Sequence, residues 1–299
     1  MIGAAEFQEL RPYLFSIAYR MLGSASEAED VLQDAWLRTS AAPAQTRSPR
    51  AWLTTVVSRL CIDRLKSARV ARQQYTGPWL PEPVPSSDLP DLEQSAMRHE
   101  SVTVAFLVLL ETLTPAERAA FLLREVFDYD YGEVAEIVEA TEASARQLVH
   151  RAKSKLAAKR PRFEPAPEAH RELVSRFMEA AQLGEIAPLE RYLAADVVHT
   201  ADGGGKAAAA GRPIVGSRAV AKLFVGLWKF ATRALAADPG AWRVEWSEVN
   251  GGPAMLVSSG GKLDTVFVFT VENDRISRIH AIRNPDKLGR INLALQETR

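Results

Sequence analysis

The sequence has little of the chemistry that supports disulfides, metal sites or membrane insertion. Its 299 residues include one cysteine, Cys61, and five histidines, none of which lies in a cluster with metal-ligand spacing. The longest apolar run, residues 102–110, is too short to cross a bilayer, and no basic flank precedes an apolar stretch at the N-terminus. We therefore expect a protein of the reducing cytoplasm that holds no metal and no cofactor.

The sequence also has no excess of charge of either sign. Lysine plus arginine equal aspartate plus glutamate at 37 each, which argues against a protein that coats nucleic acid by bulk charge. The basic residues are nonetheless grouped, because residues 47–72 carry seven against one acid, and residues 142–162 carry seven against one. Residues 82–141 hold thirteen acids and three arginines. Two separated cationic surfaces predict two contacts with one polyanion.

Two proline-rich segments divide the chain. Residues 73–90 contain five prolines around Trp79 and Leu80, and Pro161, Pro165 and Pro167 mark a second boundary. With 47% apolar residues, 299 residues predict two or three soluble domains. A tryptophan inside a proline-rich linker indicates that the linker packs against something.

Before the first boundary, apolar residues recur at helical spacing. They predict one helix through about residue 22, a second that begins at a capping box formed by Ser26 and Glu29, and a third from about Pro49 to Ala71. The third helix carries the first basic group on the face opposite its apolar stripe.

Between the two boundaries, the pattern predicts a helix-turn-helix. Thr114 and Glu117 form a capping box with Pro115 at the first helical position. A short helix capped by Asp130 follows, then a break at residues 139–141, then a longer basic helix with Thr141 as N-cap. Short helix, tight turn and longer basic helix are typical of DNA-binding proteins.

After the second boundary, the pattern predicts an α+β domain. Residues 169–194 and 216–234 read as helices, and from Trp242 onward four strand-like runs alternate with Asn-Gly-Gly, Gly-Gly and Asn-Asp turns. Helices followed by antiparallel strands predict this fold class.

The basic helix of the second group offers candidate base and phosphate contacts. Arginine can bond guanine and glutamine can bond adenine, each pair giving ~1–3 kcal/mol of discrimination. The candidates are Ser144, Arg146, Gln147, His150, Arg151 and Lys153, with Lys155 as a further phosphate contact. The alternative is a surface helix whose lysines are solvated and bind no ligand.

The first basic group offers candidates for an unpaired strand. Arg47 and Arg50 lie where a loop enters the third helix, and Arg59, Arg64 and Lys66 follow along it. Trp52 could stack on a base, but its place in the apolar stripe favours the core. A basic face on an ordinary core helix is the alternative for the whole group.

Three stretches resemble, in sequence and order, the two helical modules of bacterial extracytoplasmic-function sigma factors. They are SEAEDVLQDAWLR, SPRAWLTTVVSRLCIDRLKS and LTPAERAAFLLREVFDYDYGEVAEIVEATEASARQLVHRAKSKL. The resemblance implies that residues 1–72 are a region 2 module that binds RNA polymerase core and melts the minus-10 element with the first basic group. Residues 100–160 would be a region 4 module whose helix-turn-helix reads the minus-35 element. The implied polymerase contacts are Asp30, Gln33, Asp34, Trp36 and Leu37.

The linker between the two modules, residues 73–99, is long enough for this function. Elements read two turns apart on one face of the duplex are separated by roughly 70 Å, at ~34–36 Å per turn. A linker of about 25 residues at ~3.1 Å each reaches about 75 Å.

Residues 168–299, which contain DGGGK and NPDKL, resemble, together with the linker motif WLPEPV at residues 79–84, the corresponding parts of one sigma-factor group. That group carries a fused, cone-shaped α+β SnoaL-like domain. The resemblance implies that this domain contacts the linker and regulates the modules. The implied interdomain residues are Trp79, Leu80, Pro81, Glu82, Pro83, Asp202, Gly203, Gly204, Gly205, Lys206, Asn284, Pro285, Asp286, Lys287 and Leu288. The alternative is that Trp79 covers its own adjacent module.

The favoured function is therefore a self-regulated, non-enzymatic sigma factor that binds polymerase and promoter DNA. One alternative is a helix-turn-helix regulator that acts without polymerase. Another is an isomerase-type enzyme or a ligand sensor fused to a DNA-binding module, because His199, Asp202, Asp264 and His280 could face a cone interior, with Asp264 and His280 as an acid-base pair. A small effector in that domain is a related possibility.

Overall fold

The computed structural model describes residues 2–39, 48–72, 74–89, 100–157, 167–237 and 242–297. The chain divides into two compact units. The helical unit comprises Met1–Gln74 and Ser87–Arg160, and the C-terminal unit comprises Tyr75–Ser86 and Pro161–Arg299. The proline-rich segment Tyr75–Ser86 therefore folds with the C-terminal part of the chain.

The helical unit contains two groups of helices. They are α1 (Ala4–Leu22), α2 (Ala25–Arg38) and α3 (Pro49–Arg72) in the first group, and α4 (Val104–Leu110), α5 (Pro115–Phe121), α6 (Tyr131–Ile137) and α7 (Glu142–Ala157) in the second. A π turn, Leu122–Val126, continues α5, and a short 3₁₀ turn spans Ser86–Asp88. No described helix combines the length and apolar character needed to cross a membrane.

Local capping signals set most of these boundaries. The capping boxes of α5 and α6 are both present, with Thr114 paired to Glu117 and Asp130 paired to Glu133. The predicted cap of α2 is wrong by two residues, because the Ser24 hydroxyl, rather than that of Ser26, accepts the amide of Glu27. Gly23 in the left-handed region ends α1 directly before that cap, which leaves Ser24 as the first extended residue.

The C-terminal unit is built on one six-stranded sheet in the order β2-β1-β6-β5-β4-β3. The strands are β1 (Leu193–Asp202), β2 (Ile214–Val215), β3 (Trp242–Val249), β4 (Gly252–Ser259), β5 (Lys262–Glu272) and β6 (Arg275–Ile282). The helices are α8 (Pro167–Gln182), α9 (Ile186–Glu190), α10 (Ser217–Ala237) and α11 (Pro285–Glu297).

The sheet corrects the expectation of purely antiparallel strands. The strands β3 to β6 pair antiparallel, but β1 runs parallel to β6, with His199 opposite Ile279 and Ala201 opposite Ala281. The helix predicted to reach residue 194 ends at Gln182, and β1 and α11 were not predicted. The paired strands β1 and β6 therefore lie far apart in sequence.

The core of the C-terminal unit lies on one face of the sheet, against α8 and α10. Phe177 and Phe224 meet edge to face with ring centroids 5.0 Å apart, and Phe224 lies 5.9 Å from the ring of Phe267. Because side chains alternate along a strand, Ala201 and Ala281 face this core, whereas Asp202 and Ile282 face the other side. The last residue of β1, Asp202, therefore points away from the core and can bind other segments of the chain.

Candidate functional site

The basic helix α7 buries one stripe and exposes the predicted contact residues. Ala145, Val149, Ala152 and Leu156 are buried, and Thr141 caps the helix by accepting the amide of Ser144. All six predicted residues are exposed, namely Ser144, Arg146, Gln147, His150, Arg151 and Lys153. The helix therefore presents them together on its solvent face.

The cations of α7 are held by acids of the helical unit. The Lys153 ammonium lies 2.6 Å from a carboxylate oxygen of Glu125, and Lys155 lies 2.7 Å from Glu117. Burial by itself raises the pKa of Glu117, but the bonds from Lys155 and Thr114 outweigh it and the pKa is lowered. Lys155 therefore supports α5 as well as offering a charge to a phosphate.

Arg146 is oriented by its neighbours on the helix-turn-helix. Its guanidinium lies 4.1 Å from the ring centroid of Tyr131 and pairs with Glu142 one turn earlier. Exposed pairs of this type contribute at most about 1 kcal/mol, so Arg146 can exchange Glu142 for a base edge. Gln147 beside it is exposed and needs no such exchange.

The first basic group makes contacts inside the helical unit. The Arg50 guanidinium lies 4.0 Å from the ring centroid of Tyr13. Arg59 donates to the carbonyls of Glu136 and Ile137, at 2.8 and 3.4 Å. Arg47 lies outside the described residues.

The last two members of that group form ion pairs. Arg64 binds Asp30 and Asp34, at 3.3 and 2.9 Å, and Lys66 binds Asp63 at 3.0 Å. Asp30 and Asp34 are predicted polymerase contacts, so the two predicted surfaces meet along α2 and α3. These pairs are exposed enough to be exchanged at low cost.

An apolar surface lies on α2 at the predicted polymerase contacts. Leu37 is 66% exposed and Trp36 is 36% exposed, so two consecutive large apolar residues lie at the surface. Trp36 packs on Phe7 with ring centroids 5.1 Å apart. A groove of about 300 Å³ beside it is lined by residues that include Gln33 and Asp30. The surface combines exposed apolar groups with polar and charged neighbours, which is compatible with a protein-docking site that has a polar rim.

The two helix groups are joined by a buried arginine. Arg118, 2% exposed on α5, donates its Nε and Nη2 to the carbonyl of Arg20 near the end of α1, at 3.2 and 3.0 Å. Burial lowers the pKa of Arg118 to about 9, and Glu111 pairs with the cation. Arg20 in turn donates to Ser101 at 2.8 Å. These groups stabilise α1 against the second helix group.

A hydroxyl chain adds to the same contact. The Tyr129 hydroxyl lies 3.1 Å from that of Tyr13 and donates to Thr54 at 2.9 Å. With the bonds of Arg59, it ties α1 and α3 to the segment that surrounds α6. The two modules are thus packed on each other within the helical unit.

In the C-terminal unit, one buried carboxylate holds the proline-rich segment. Asp202 is fully buried, and its Oδ1 accepts the Tyr75 hydroxyl at 2.6 Å while its Oδ2 accepts the Leu80 amide at 2.8 Å. Lys287 donates to the same Oδ2 at 2.7 Å and to the Leu80 carbonyl at 2.5 Å. We call Tyr75, Leu80, Asp202, Asn284 and Lys287 the linker clasp.

The remaining clasp contacts involve Asn284 and Trp79. Asn284 donates its Nδ2 to the Tyr75 hydroxyl at 2.9 Å, and the Lys287 ammonium lies 4.3 Å from the ring centroid of Trp79. Burial, followed by the bond to Asp202, raises the pKa of Tyr75. The hydroxyl therefore stays protonated and remains a donor.

The other predicted interdomain residues lie around the clasp. Pro81, Glu82, Pro83 and Leu288 are buried, and Lys206 forms an exposed ion pair with Asp286 at 2.6 Å. A side chain at Gly203 or Gly204 would collide with Ala207 or Asn284. Gly205 adopts φ 72° and packs on Thr76, so DGGGK approaches the segment through its backbone. Pro285 is the first residue of α11.

Several residues that hold the segment are not predicted from the sequence. Asn250 donates its amide to the Val84 carbonyl at 2.9 Å and accepts the Val84 amide at 3.1 Å, and Gly251 donates to the Ser86 hydroxyl at 2.9 Å. No local pattern predicts the role of Tyr75 either. The Asn-Gly-Gly signal correctly indicated a turn, and only the fold shows that the turn, with Asn250 at φ 56°, pairs with Val84.

The four residues considered for an acid-base site do not assemble into one. Asp264 binds Arg283 through both oxygens at 2.9 Å, so the Asp264–His280 pair was wrong. Asp202 belongs to the clasp. His199 and Asp264 line a cavity of about 430 Å³, whereas His280 is not among its lining residues. Among the described residues no cluster with metal-ligand geometry is present.

Two buried histidines, His199 and His280, and the partly buried His170 make the stability of the C-terminal unit depend on pH. Burial lowers the pKa of His170 and His199 to about 4 and that of His280 to about 3. The pKa of a histidine in the unfolded chain is about 6.5. Below that pH the unfolded chain binds more protons than the folded chain, so the free energy of unfolding decreases as the pH is lowered. We expect each histidine to remove about 2 kcal/mol between pH 7 and pH 5.

Chemical denaturation at the two pH values measures this loss. His199→Leu removes one titrating group and is expected to reduce the loss by about a third. Equal stabilities at pH 7 and pH 5 would contradict the neutral, buried state of these imidazoles.

The chain matches the Sigma-70 region 2 family over residues 7–70 and the Sigma-70, region 4 family over residues 103–156. The ECF RNA polymerase sigma factor SigJ of Mycobacterium tuberculosis is 38% identical over 294 residues, which cover 95% of this chain and 92% of SigJ. The probable ECF RNA polymerase sigma factor SigI of the same organism is 31% identical over 288 residues, which cover 95% of this chain and 94% of SigI.

A solved structure extends this likeness to the fold. The crystal structure of Mycobacterium tuberculosis extracytoplasmic function sigma factor SigJ aligns with a TM-score of 0.73 at 34% identity. The alignment covers 96% of this chain and 98% of that one. The likeness therefore includes the helical unit and the sheet that follows it.

Proposed function

Because this chain belongs to the extracytoplasmic-function sigma factors with a fused C-terminal SnoaL-like domain, we propose that this domain regulates the chain's activity by holding Tyr75–Ser86. As a sigma factor, the chain serves promoter-specific transcription initiation, with bacterial RNA polymerase core and promoter DNA as partners. The observation that carries the regulatory proposal is the buried Asp202–Lys287 pair, bonded to both the amide and the carbonyl of Leu80.

The predicted roles of the modules form part of the proposal. The module of residues 1–72 binds polymerase through the exposed surface of α2 and the minus-10 element through the basic residues of α3. The module of residues 100–160 reads the minus-35 element with α7. Residues 73–99 link the modules, and residues 168–299 regulate them. A cytoplasmic location follows from this role, because polymerase acts there.

The same proposal treats the C-terminal domain as a regulator without catalytic activity. The curated relatives are sigma factors, which are not enzymes. The domain has a cavity, but Asp264 there is engaged by Arg283 and the predicted acid-base pair is not formed. A small-molecule effector in this cavity is the form of regulation that we propose.

We propose that the held state inhibits. The minus-10 and minus-35 elements lie roughly 70 Å apart, so their readers must separate. In the helical unit the modules instead pack on each other, and Arg59 of the first module binds backbone carbonyls of the second. The clasp fixes Tyr75–Ser86, which shortens the free chain that separation requires. Release of the clasp therefore favours the separated state.

A single hydroxyl tests the clasp. Tyr75→Phe removes one bond to the buried Asp202 carboxylate and one from Asn284, and bonds to charged groups contribute about 1.5–3 kcal/mol. We expect run-off transcription with core polymerase to rise severalfold and protease cleavage within residues 75–86 to accelerate.

Tyr192→Phe is the matched control, because Tyr192 lies in the same unit against the core and outside the clasp. Faster cleavage with unchanged transcription would reject regulation through the clasp. If both measurements stayed unchanged, the clasp itself would be rejected.

A further inference from the structure

We propose that the cavity of the C-terminal unit binds an uncharged aromatic molecule carrying one hydroxyl or carbonyl group, and that its occupation stabilises the linker clasp. The inference deepens the proposed function and rests on it, since the clasp is the regulatory element there.

The size and walls of the cavity indicate an aromatic ligand. Its volume of about 430 Å³ lies in the range of small-molecule sites. The lining includes Phe224, Trp228, Phe230, Trp242 and Phe267. Phe230 is 63% exposed, so the described chain leaves part of this apolar lining uncovered. Flat apolar rings would bury this surface and stack against the aromatic side chains.

The charged groups of the cavity indicate that the ligand is uncharged. Asp264 and Arg283 line it together but neutralise each other through two contacts of 2.9 Å. Arg283 also donates to the Thr265 hydroxyl at 3.1 Å. His199 is neutral at pH 7, because burial holds its pKa near 4. A charged ligand would be buried without a free counter-charge, which is strongly unfavourable.

An unsatisfied imidazole indicates one polar group on the ligand. His199 lines the cavity and is 3% exposed, and its buried Nδ1 has no hydrogen-bond partner among the described residues. A buried polar atom without a partner is rare in folded proteins and is destabilising. A ligand hydroxyl can donate to or accept from an imidazole, and a carbonyl can accept from its N–H tautomer.

The cavity and the clasp are built from adjacent residues. Ala201 lines the cavity and Asp202 forms the clasp, and Arg283 lines the cavity directly before Asn284 of the clasp. The amide of Arg283 donates to the Asp202 carbonyl at 2.7 Å, and its side chain donates to the carbonyl of Ala208 in the cavity wall. A ligand that orders this wall therefore orders the clasp and makes its closure less costly.

Three related probes test the ligand class on the full chain at pH 7. They are 2-naphthol, naphthalene, which lacks the hydroxyl, and 2-naphthoate, which adds a charge. Trp228 and Trp242 line the cavity, so binding is measured by tryptophan fluorescence and confirmed by calorimetry. We expect 2-naphthol to bind about fivefold to tenfold more tightly than naphthalene. We expect no saturable binding of 2-naphthoate.

Two buried histidines provide matched variants. His199 and His280 are each 3% exposed, and the Nδ1 of each has no hydrogen-bond partner within the described part of the chain. Of the two, His199 lines the cavity and His280 does not. His199→Leu should bind 2-naphthol no better than naphthalene, whereas His280→Leu should keep the preference. Val257→Trp, which fills the cavity, should abolish binding of both.

Hydrogen exchange tests the coupling. Saturating 2-naphthol should slow amide exchange in residues 75–86. Because coupling is reciprocal, Lys287→Met should raise the Kd of 2-naphthol by the same factor by which 2-naphthol shifts the equilibrium toward the closed clasp. Absence of saturable binding would overturn the inference, as would binding that leaves exchange unchanged. Either result is independent of the proposed function, which Tyr75→Phe tests by transcription without any probe.

Discussion

Replacing Lys287 by methionine is expected to release Tyr75–Ser86 and to raise run-off transcription by about tenfold or more. Lys287 is 8% exposed and Asp202 fully buried, and the ammonium bridges Asp202 and the Leu80 carbonyl. Removing one partner of a buried pair costs about 3–5 kcal/mol, because the remaining charge is left uncompensated. That cost falls on the held state and shifts the equilibrium toward release.

Two further variants separate the clasp from general destabilisation. Lys206→Met removes a lysine from the nearby Lys206–Asp286 pair, whose side chains are 57% and 60% exposed, and should change transcription little. The double variant Asp202→Asn, Lys287→Met removes both charges and should destabilise the unit less than Lys287→Met alone. Circular dichroism checks the fold of each variant. Transcription that fell in Lys287→Met while the fold persisted would show that the held state activates.

Replacing Gln147 or Arg146 by alanine is expected to lower transcription from the preferred promoter by about tenfold to a hundredfold, corresponding to ~1–3 kcal/mol for a base contact. Both side chains are exposed on α7, and Tyr131 orients Arg146. Because each residue would read one base, the loss should disappear when the promoter is altered at that base.

Lys153→Ala is the control for nonspecific loss. Lys153 is 53% exposed and pairs with Glu125, so its removal should weaken all promoter sequences alike and reduce the salt dependence. Lys155 is less suitable, since it stabilises the nearly buried Glu117. Transcription from a set of minus-35 variants measures the pattern. Uniform losses in all three variants would show that α7 does not read bases.

The parts of the fold that follow from neighbouring residues could be predicted from the sequence. The capping boxes at Thr114 and Asp130 close within three residues, and both are present. The cap of α2 was misplaced because Ser24 and Ser26 both fit the pattern, and the end of α1 at Gly23 decides between them. The last four strands could be predicted because turn signals separate four strand-like runs.

The parts that depend on distant pairings could not be derived from local pattern. β1 pairs with β6, some 80 residues later. The apolar and polar residues of β1 alternate over too short a stretch to distinguish the strand from the helical residues before it. Tyr75 and Asp202 meet across 127 positions. Resemblance, rather than spacing, places Asp202 and Lys287 near the linker. The Asn-Gly-Gly pattern predicts a turn at Asn250 but not its bonds to Val84, and no pattern predicts the contacts of Arg283.

The buried Arg118 limits how freely the modules of such proteins can be recombined. Its guanidinium binds the backbone carbonyl of Arg20 in α1, and every sequence provides such a carbonyl. Its charge, however, is compensated by the side chain of Glu111, and the buried Arg20 side chain beside it binds Ser101. A chimera that joins the first module of this chain to the second module of a relative must therefore keep a cation at this position. Without that cation, the buried carbonyl of Arg20 loses its hydrogen-bond donors, and water cannot reach the junction to replace them.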